Sequence, residues 1–236
     1  MKPLIADLHM HSIMSGHAFG TLRELAFEAS AKGMKLIGVT EHGPGIPGTC
    51  DPIYFRNIVD APRLLYGVKM LYGSEVNILP GGKLALDEEH LSCLDYAVAG
   101  IHRQCYDDAG ICKNTDNVIR CMEHHKVKFI SHPDDSSFPL DYKALVLAAK
   151  ETGTALEVNN SSLRKPFLRL NCVDNYRTML SLCMELDAKI IVNTDSHDPS
   201  TVGNFALANQ LLADIGFPDH LIINNDLQKT EQFLLL

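Results

Sequence analysis

The chain has 236 residues, 46% of them hydrophobic and 21% charged, a balance that excludes a disordered polymer. Its 21 Lys and Arg against 29 Asp and Glu leave a net charge of −8, which argues against bulk electrostatic binding to nucleic acid or to an anionic membrane surface. Single α/β barrels commonly run to about 200–250 residues, so one domain over residues 1–236 is expected. The seven cysteines include no C-x-x-C pair, which fits neither a secreted disulfide framework nor a zinc ribbon. Reduced thiols in a cytoplasmic protein are expected instead. The opening Met1-Lys2-Pro3-Leu4-Ile5-Ala6 forms no signal-peptide core, and no run approaches the length of a membrane span.

In chain order, β-branched and aliphatic runs predict strands at Leu4–Leu8, Leu36–Thr40, Lys69–Gly73 continuing through Val76, Asp95–Ile101, Val127–Ser131, Ala155–Asn159 and Lys189–Thr194. A weaker eighth is predicted at Leu221–Ile223. Between them, Thr21-Leu22-Arg23-Glu24 is a capping box opening a helix that should run to Gly33. Further helices are predicted at Tyr54–Tyr66, Thr115–His125, Tyr142–Thr152, Asn175–Leu186, Phe205–Ile215 and Leu227–Leu235, with a tight turn at Pro80-Gly81-Gly82. Repeated strand–helix alternation predicts a parallel sheet covered by helices. Seven or eight units fit a closed (β/α) barrel better than an open doubly wound sheet, and no G-x-G-x-x-G or P-loop follows the first strand.

The predicted strands end in metal-type side chains. The first ends in Asp7-Leu8-His9-Met10-His11 and the second in Thr40-Glu41-His42. Glu75 lies near the end of the third, His102 closes the fourth, Ser131-His132-Pro133 the fifth, and Thr194-Asp195-Ser196-His197 the seventh. The sixth has no histidine and ends in Glu157-Val158-Asn159-Asn160-Ser161-Ser162. In a parallel barrel all these ends share one face, the face that carries active sites. His9 and His11 project to the same side of an extended chain, as do Asp195 and His197. With His17 added there are nine candidate ligands: His9, His11, His17, His42, Glu75, His102, His132, Asp195 and His197. One open metal site uses about three or four ligands, so nine imply two or three ions with bridging carboxylates. His90, His124, His125 and His220 are expected to be structural, the middle pair closing a helix.

These motifs resemble those of the PHP (polymerase and histidinol phosphatase) superfamily of metal-dependent phosphoesterases. They run in family order from residue 7 to residue 197: Asp7-Leu8-His9-Met10-His11, Glu41-His42-Gly43, Gly73-Ser74-Glu75, Ile101-His102, Ser131-His132-Pro133 and Thr194-Asp195-Ser196-His197. Asn159-Asn160-Ser161-Ser162 adds a likeness to the small stand-alone bacterial phosphatases of that superfamily. The resemblance implies a distorted seven-stranded (β/α) barrel with three divalent ions at the strand C-termini, zinc first and manganese or iron as alternatives. It implies one ion on His9, His11, Glu75 and Asp195, a second sharing Glu75 with His102 and His132, and a third on His17, His42 and His197. One departure is visible, since relatives commonly have Asp where Glu41 stands, which bears on the support of His42.

Clustered divalent ions suit phosphate ester hydrolysis, because a water bridging two metals ionises near neutral pH and a metal pair clamps attacking and leaving oxygens. The expected activity is that of a phosphomonoesterase acting on a small phosphorylated metabolite. Glu75, Asp195 and His197 are expected at the chemical step, and Arg103, Arg164 and Lys165, with Arg169 nearby, are candidates for holding the substrate phosphate. An amidohydrolase, whose barrel also opens with His-x-His, and a non-catalytic metal-binding PHP module are the competing readings. The loop Gly43–Tyr54 is expected to overhang the mouth of the site.

Overall fold

The computed structural model describes residues 2–235. Seven parallel strands form its frame: β1 (Ala6–Asp7), β2 (Leu36–His42), β3 (Val68–Leu79), β4 (Tyr96–Gly100), β5 (Val127–Ile130), β6 (Ala155–Asn159) and β7 (Ile190–Asn193). Each pairs with the next in sequence, from Ala6↔Leu36 at one end to Asn159↔Asn193 at the other. A sequential parallel order curls the sheet into a nearly closed barrel with every strand C-terminus on one face.

The helices are α1 (Leu22–Ala31), α2 (Ile53–Asn57), α3 (Glu88–Leu91), α4 (Ile111–Cys121), α5 (Tyr142–Thr152), α6 (Asn160–Arg164), α7 (Cys172–Leu186), α8 (Ala206–Asp214) and α9 (Leu227–Leu235). The capping box at Thr21 and Glu24 forms as the sequence predicts, and Gly33 follows α1 at φ +75°. Strand alternation divides the apolar residues. One set, including Ile37, Met70, Leu145, Leu180 and Leu212, fills the layer between barrel and helices, while Leu36, Tyr96, Val98, Phe129 and Ile191 plug the barrel floor. On that floor the Tyr96 hydroxyl donates to Leu8 O at 2.6 Å across Gly38, where any Cβ would overlap it. The seven cysteines are all unpaired thiols. Among the described residues no helix is long and apolar enough to cross a membrane.

Several boundaries differ from expectation. Leu221–Ile223 forms no eighth strand, only a 3-10 turn at Asp219–Leu221 and a single bridge between Ile190 and Ile222. Asn224 does the joining instead: its Oδ1 accepts from Val192 N at 3.1 Å and its Nδ2 donates to Ala6 O at 2.8 Å and to Val192 O at 2.6 Å. One side-chain amide thus acts as a peptide rung between β1 and β7. Higher up, the same two strands meet through Asp7, which accepts from Thr194 N and Oγ1, and through His11 N donating to Ser196 O.

Tyr54–Tyr66 is not one helix. Beyond α2 and a 3-10 turn at Ile58–Asp60, Pro62 cannot extend a helical ladder, and Leu64–Leu65 pairs antiparallel with the start of β3. Tyr66 and Gly67, at φ 50° and 79°, make the tight two-residue turn. The helix predicted at Thr115–His125 starts a turn earlier, because buried Asn114 accepts from Ala109 N and Tyr106 Oη, and it stops at Cys121, leaving His124 and His125 just beyond it.

Asn224→Asp, isosteric but lacking the amide donor, should destabilise the fold by about 3 kcal/mol at neutral pH, because it turns a buried carboxylate onto two carbonyl oxygens. Urea unfolding should show a smaller deficit near pH 4–5, where protonation restores one donor.

Candidate metal centre

Period-two alternation lifts one face of each strand from apolar floor to polar mouth: Leu71 to Glu75 on β3, Ala155 to Glu157 and Asn159 on β6, Ile191 to Asn193 on β7. Gly100 is required at this level, since a Cβ there would collide with Ser131 Oγ and press on Glu75 Oε1 and His102. His132 (φ 30°) and Asp195 (φ 49°) sit just past their strands in left-handed backbone, which turns their side chains back over the mouth.

All nine expected ligand residues converge there. Glu75 is the hub: Oε2 lies 3.3 Å from His9 Nε2, 3.4 Å from His11 Nε2 and 3.0 Å from His42 Nδ1, and Oε1 lies 3.2 Å from His102 Nε2 and 2.8 Å from His132 Nε2. Asp195 Oδ1 lies 3.2 Å from His11 Nε2 and 3.4 Å from His197 Nδ1. His17 Nε2 is 3.1 Å from His197 Nε2 at the exposed rim, and His42 stacks on both His11 and His17. Glu75 Oε2, Asp195 Oδ1 and His42 Nδ1 are buried yet make no hydrogen bond of acceptable geometry. Three orphaned donor atoms aimed at a shared space are what a cation cluster would satisfy.

Outer contacts fix most of the rings. Glu157 Oε1 accepts from His9 Nδ1 at 2.8 Å, Ser15 Oγ accepts from His11 Nδ1 at 2.9 Å, and Asn77 Oδ1 accepts from His102 Nδ1 at 2.7 Å. Each leaves Nε2 facing inward. Glu41 lies beneath them. It accepts from the Ser12 hydroxyl and from Ser15 Oγ at 2.6 Å, so it supports the His11 ring through Ser15, while Ser15 Oγ also accepts from His42 N. The influence of position 41 thus reaches His42 only through its backbone.

His9 Nε2 and His11 Nε2 lie 3.3 Å apart with both lone pairs inward, an arrangement that needs a proton or a cation between them. Without ions the protein uses protons. Burial opposes charge on His11, but Asp195 and Glu75 outweigh it and raise its pKa to about 9, and His9 is likewise raised well above the ordinary value. Burial and the charge on His11 push His42 down to about 3 and His197 to about 4. Burial works against ionised Glu75 and Asp195 too, yet the surrounding imidazoles hold both well below the usual carboxylate range.

The mouth opens into a cavity of about 370 Å³. Of the expected phosphate contacts, Arg103 and Lys165 line it together with Arg169, whereas Arg164 is exposed and does not. Ile46 brings the Gly43–Tyr54 loop to the rim. Sequence reading gave no role to Glu157, Asn77 or Ser15. For Glu157 the signal was present: it stands where the other strand ends carry ligands, spaced two from Asn159.

Residues 7–161 match the PHP domain family. A protein of Clostridium novyi (strain NT) named "Probable phosphatase" is 38% identical over 231 residues, covering 98% of this chain and 94% of that one. A namesake from Syntrophotalea carbinolica is 36% identical over 229 residues, covering 97% and 95%. A histidinol phosphate phosphatase from Lactococcus lactis subsp. lactis, solved with zinc, L-histidinol and phosphate, superposes with a TM-score of 0.62 at 19% identity, covering 90% of this chain and 94% of that one. At that identity the likeness is one of fold.

Glu157 accepts four N–H groups, from His9, His132 N, Asn159 and Asn193. Glu157→Gln turns an amide onto two of those donors and should lower stability by about 2–3 kcal/mol in urea titration, with a loss of bound metal on elemental analysis.

Proposed function

This chain belongs to the PHP domain family, and we propose that it is a metal-dependent phosphatase acting on a small phosphorylated metabolite. The convergence of nine ligand-type side chains on one mouth, five of them imidazoles against the Glu75 carboxylate, with orphaned buried donor atoms among them, carries this reading. The names of the bacterial relatives support it.

His9, His11, Glu75 and Asp195 would hold one ion, Glu75 with His102 and His132 a second, and His17, His42 and His197 a third. Imidazole and carboxylate donors without sulfur suit zinc, the metal found with the Lactococcus protein. Bound divalent ions supply Lewis acidity toward phosphoryl oxygens and a water that ionises near neutral pH.

The chain's own part is to orient and to neutralise. Ser131 Oγ donates to Glu75 Oε1 at 2.8 Å and fixes the bridging carboxylate. Glu157 and Ser15 hold His9 and His11 as Nδ1–H tautomers. His132 differs, because Arg169 Nη1 donates to its Nδ1 at 3.1 Å and so directs Nε2–H to Glu75. Offering Nε2 to a cation requires the other tautomer, which expels the guanidinium from Nδ1 into the cavity it lines. Arg169 would then meet phosphoryl oxygens with its two-pronged donor edge, the contact arginine makes best. Arg103 and Lys165 add positive charge farther out.

Gently purified protein should contain close to three zinc, manganese or iron ions per chain by elemental analysis. It should hydrolyse p-nitrophenyl phosphate in a chelator-sensitive, metal-restorable way, and Glu75→Gln should fall to the background rate. One ion or none, with no turnover after reconstitution, would favour the non-catalytic module. Because His11 and His9 hold protons where an ion would sit, metal loading of the stripped protein at pH 7 should release about one to two protons per chain. Apparent affinity should rise with pH from 7 toward about 9 as His11 gives up its proton, as read by calorimetry in buffers of different ionisation enthalpy.

A further inference from the structure

We infer that the substrate carries a carboxylate besides its phosphate, and that Ser162 and Lys165 bind it; the inference rests on the phosphatase reading above. Ser162 lies within α6 and Lys165 is the residue that caps its C-terminal end, and both line the cavity. Ser162 is 3% exposed and its Oγ has no hydrogen-bond partner, although its backbone N–H is capped by Asn159 Oδ1 at 3.0 Å. A buried hydroxyl is seldom left unmatched, so this one is set for a ligand.

Lys165 is half-buried and, among the described residues, has no carboxylate within ion-pair distance, whereas each of the other two cavity cations has one. Arg103 pairs with Asp135 at 3.4 Å, and Arg169 lies 3.6 Å from Asp134 and against His132. Neither Ser162 Oγ nor Lys165 Nζ bonds to a ligand-type residue, so the pair is free to hold a part of the substrate away from the reacting phosphoryl group. One ammonium and one hydroxyl complement the single charge of a carboxylate; a dianionic phosphate asks for more donors. An amine-bearing tail finds little here. The nearest cavity acid outside the metal cluster, Asp135, is already taken by Arg103 and by the N–H groups of Ser137 and Leu170.

The test uses the metal-loaded protein and two inert phosphonates of matched length, 3-phosphonopropionate and propylphosphonate, in calorimetric titration and as inhibitors of p-nitrophenyl phosphate hydrolysis. The carboxylated compound should bind at least tenfold tighter, and Ser162→Ala and Lys165→Met should each shrink that ratio toward one. Equal affinities in the wild-type protein, a comparison that needs no variant, would overturn the subsite. So would variants that weaken both compounds equally, which would assign Ser162 and Lys165 to the phosphate. Absent hydrolysis with the tenfold preference intact would defeat the phosphatase reading and leave the subsite standing.

Discussion

A buried carboxylate lies within 3.4 Å of nitrogens from five imidazoles, and the rest of the structure is arranged around that fact. Glu75 could not be ionised and dry without positive charge nearby, and the histidines could not crowd together without negative charge among them. Each half of the cluster is untenable alone. The protein therefore fixes the rings from behind with Glu157, Asn77 and the Ser15–Glu41 pair, and it builds the floor beneath them from closely packed apolar side chains. Protons on His9 and His11 balance the charge when no ion does.

Much of this was legible in the sequence, for a physical reason. A parallel barrel gathers every strand C-terminus onto one rim, so ligands far apart in the chain could be placed together from strand positions alone. The strand Ala155–Asn159 and the helices Tyr142–Thr152 and Leu227–Leu235 have the bounds that periodicity predicts. What periodicity could not reveal was tertiary. Leu221–Ile223 has strand-like residues, but its backbone makes only one bridge to the seventh strand before the Asn224 side chain takes over the pairing. Tyr54–Tyr66 looks helical until Pro62 and the left-handed Tyr66-Gly67 pair are weighed together. The reach of Glu41 to Ser15 depends on how a 3-10 turn at Ile13–Ser15 folds over the second strand, and no spacing rule gives that.

The site divides into two chemical regions. Around Glu75 most ring nitrogens are matched to a partner or face the space an ion would fill, and the network holds the rings in place. Toward the rim, His17, Arg103 and the turn holding Phe167 and Leu168 are exposed and carry few fixed contacts. Exposed side chains on loops above a rigid scaffold are the ones most free to adjust to what enters the cavity.

The seam between β1 and β7 has a further consequence. Strand ladders run around the rest of the barrel, but this junction is fastened mainly by side chains, among them the Asn224 amide, the Asp7 carboxylate and Asn193 Oδ1 accepting from Leu8 N, with one backbone bridge between Met10 and Ser196. His9 and His11 stand on one side of it, Asp195 and His197 on the other. An ion held across it would therefore act as a clasp between the two ends of a long chain. A cation there would join by coordination the two strands that no continuous ladder joins.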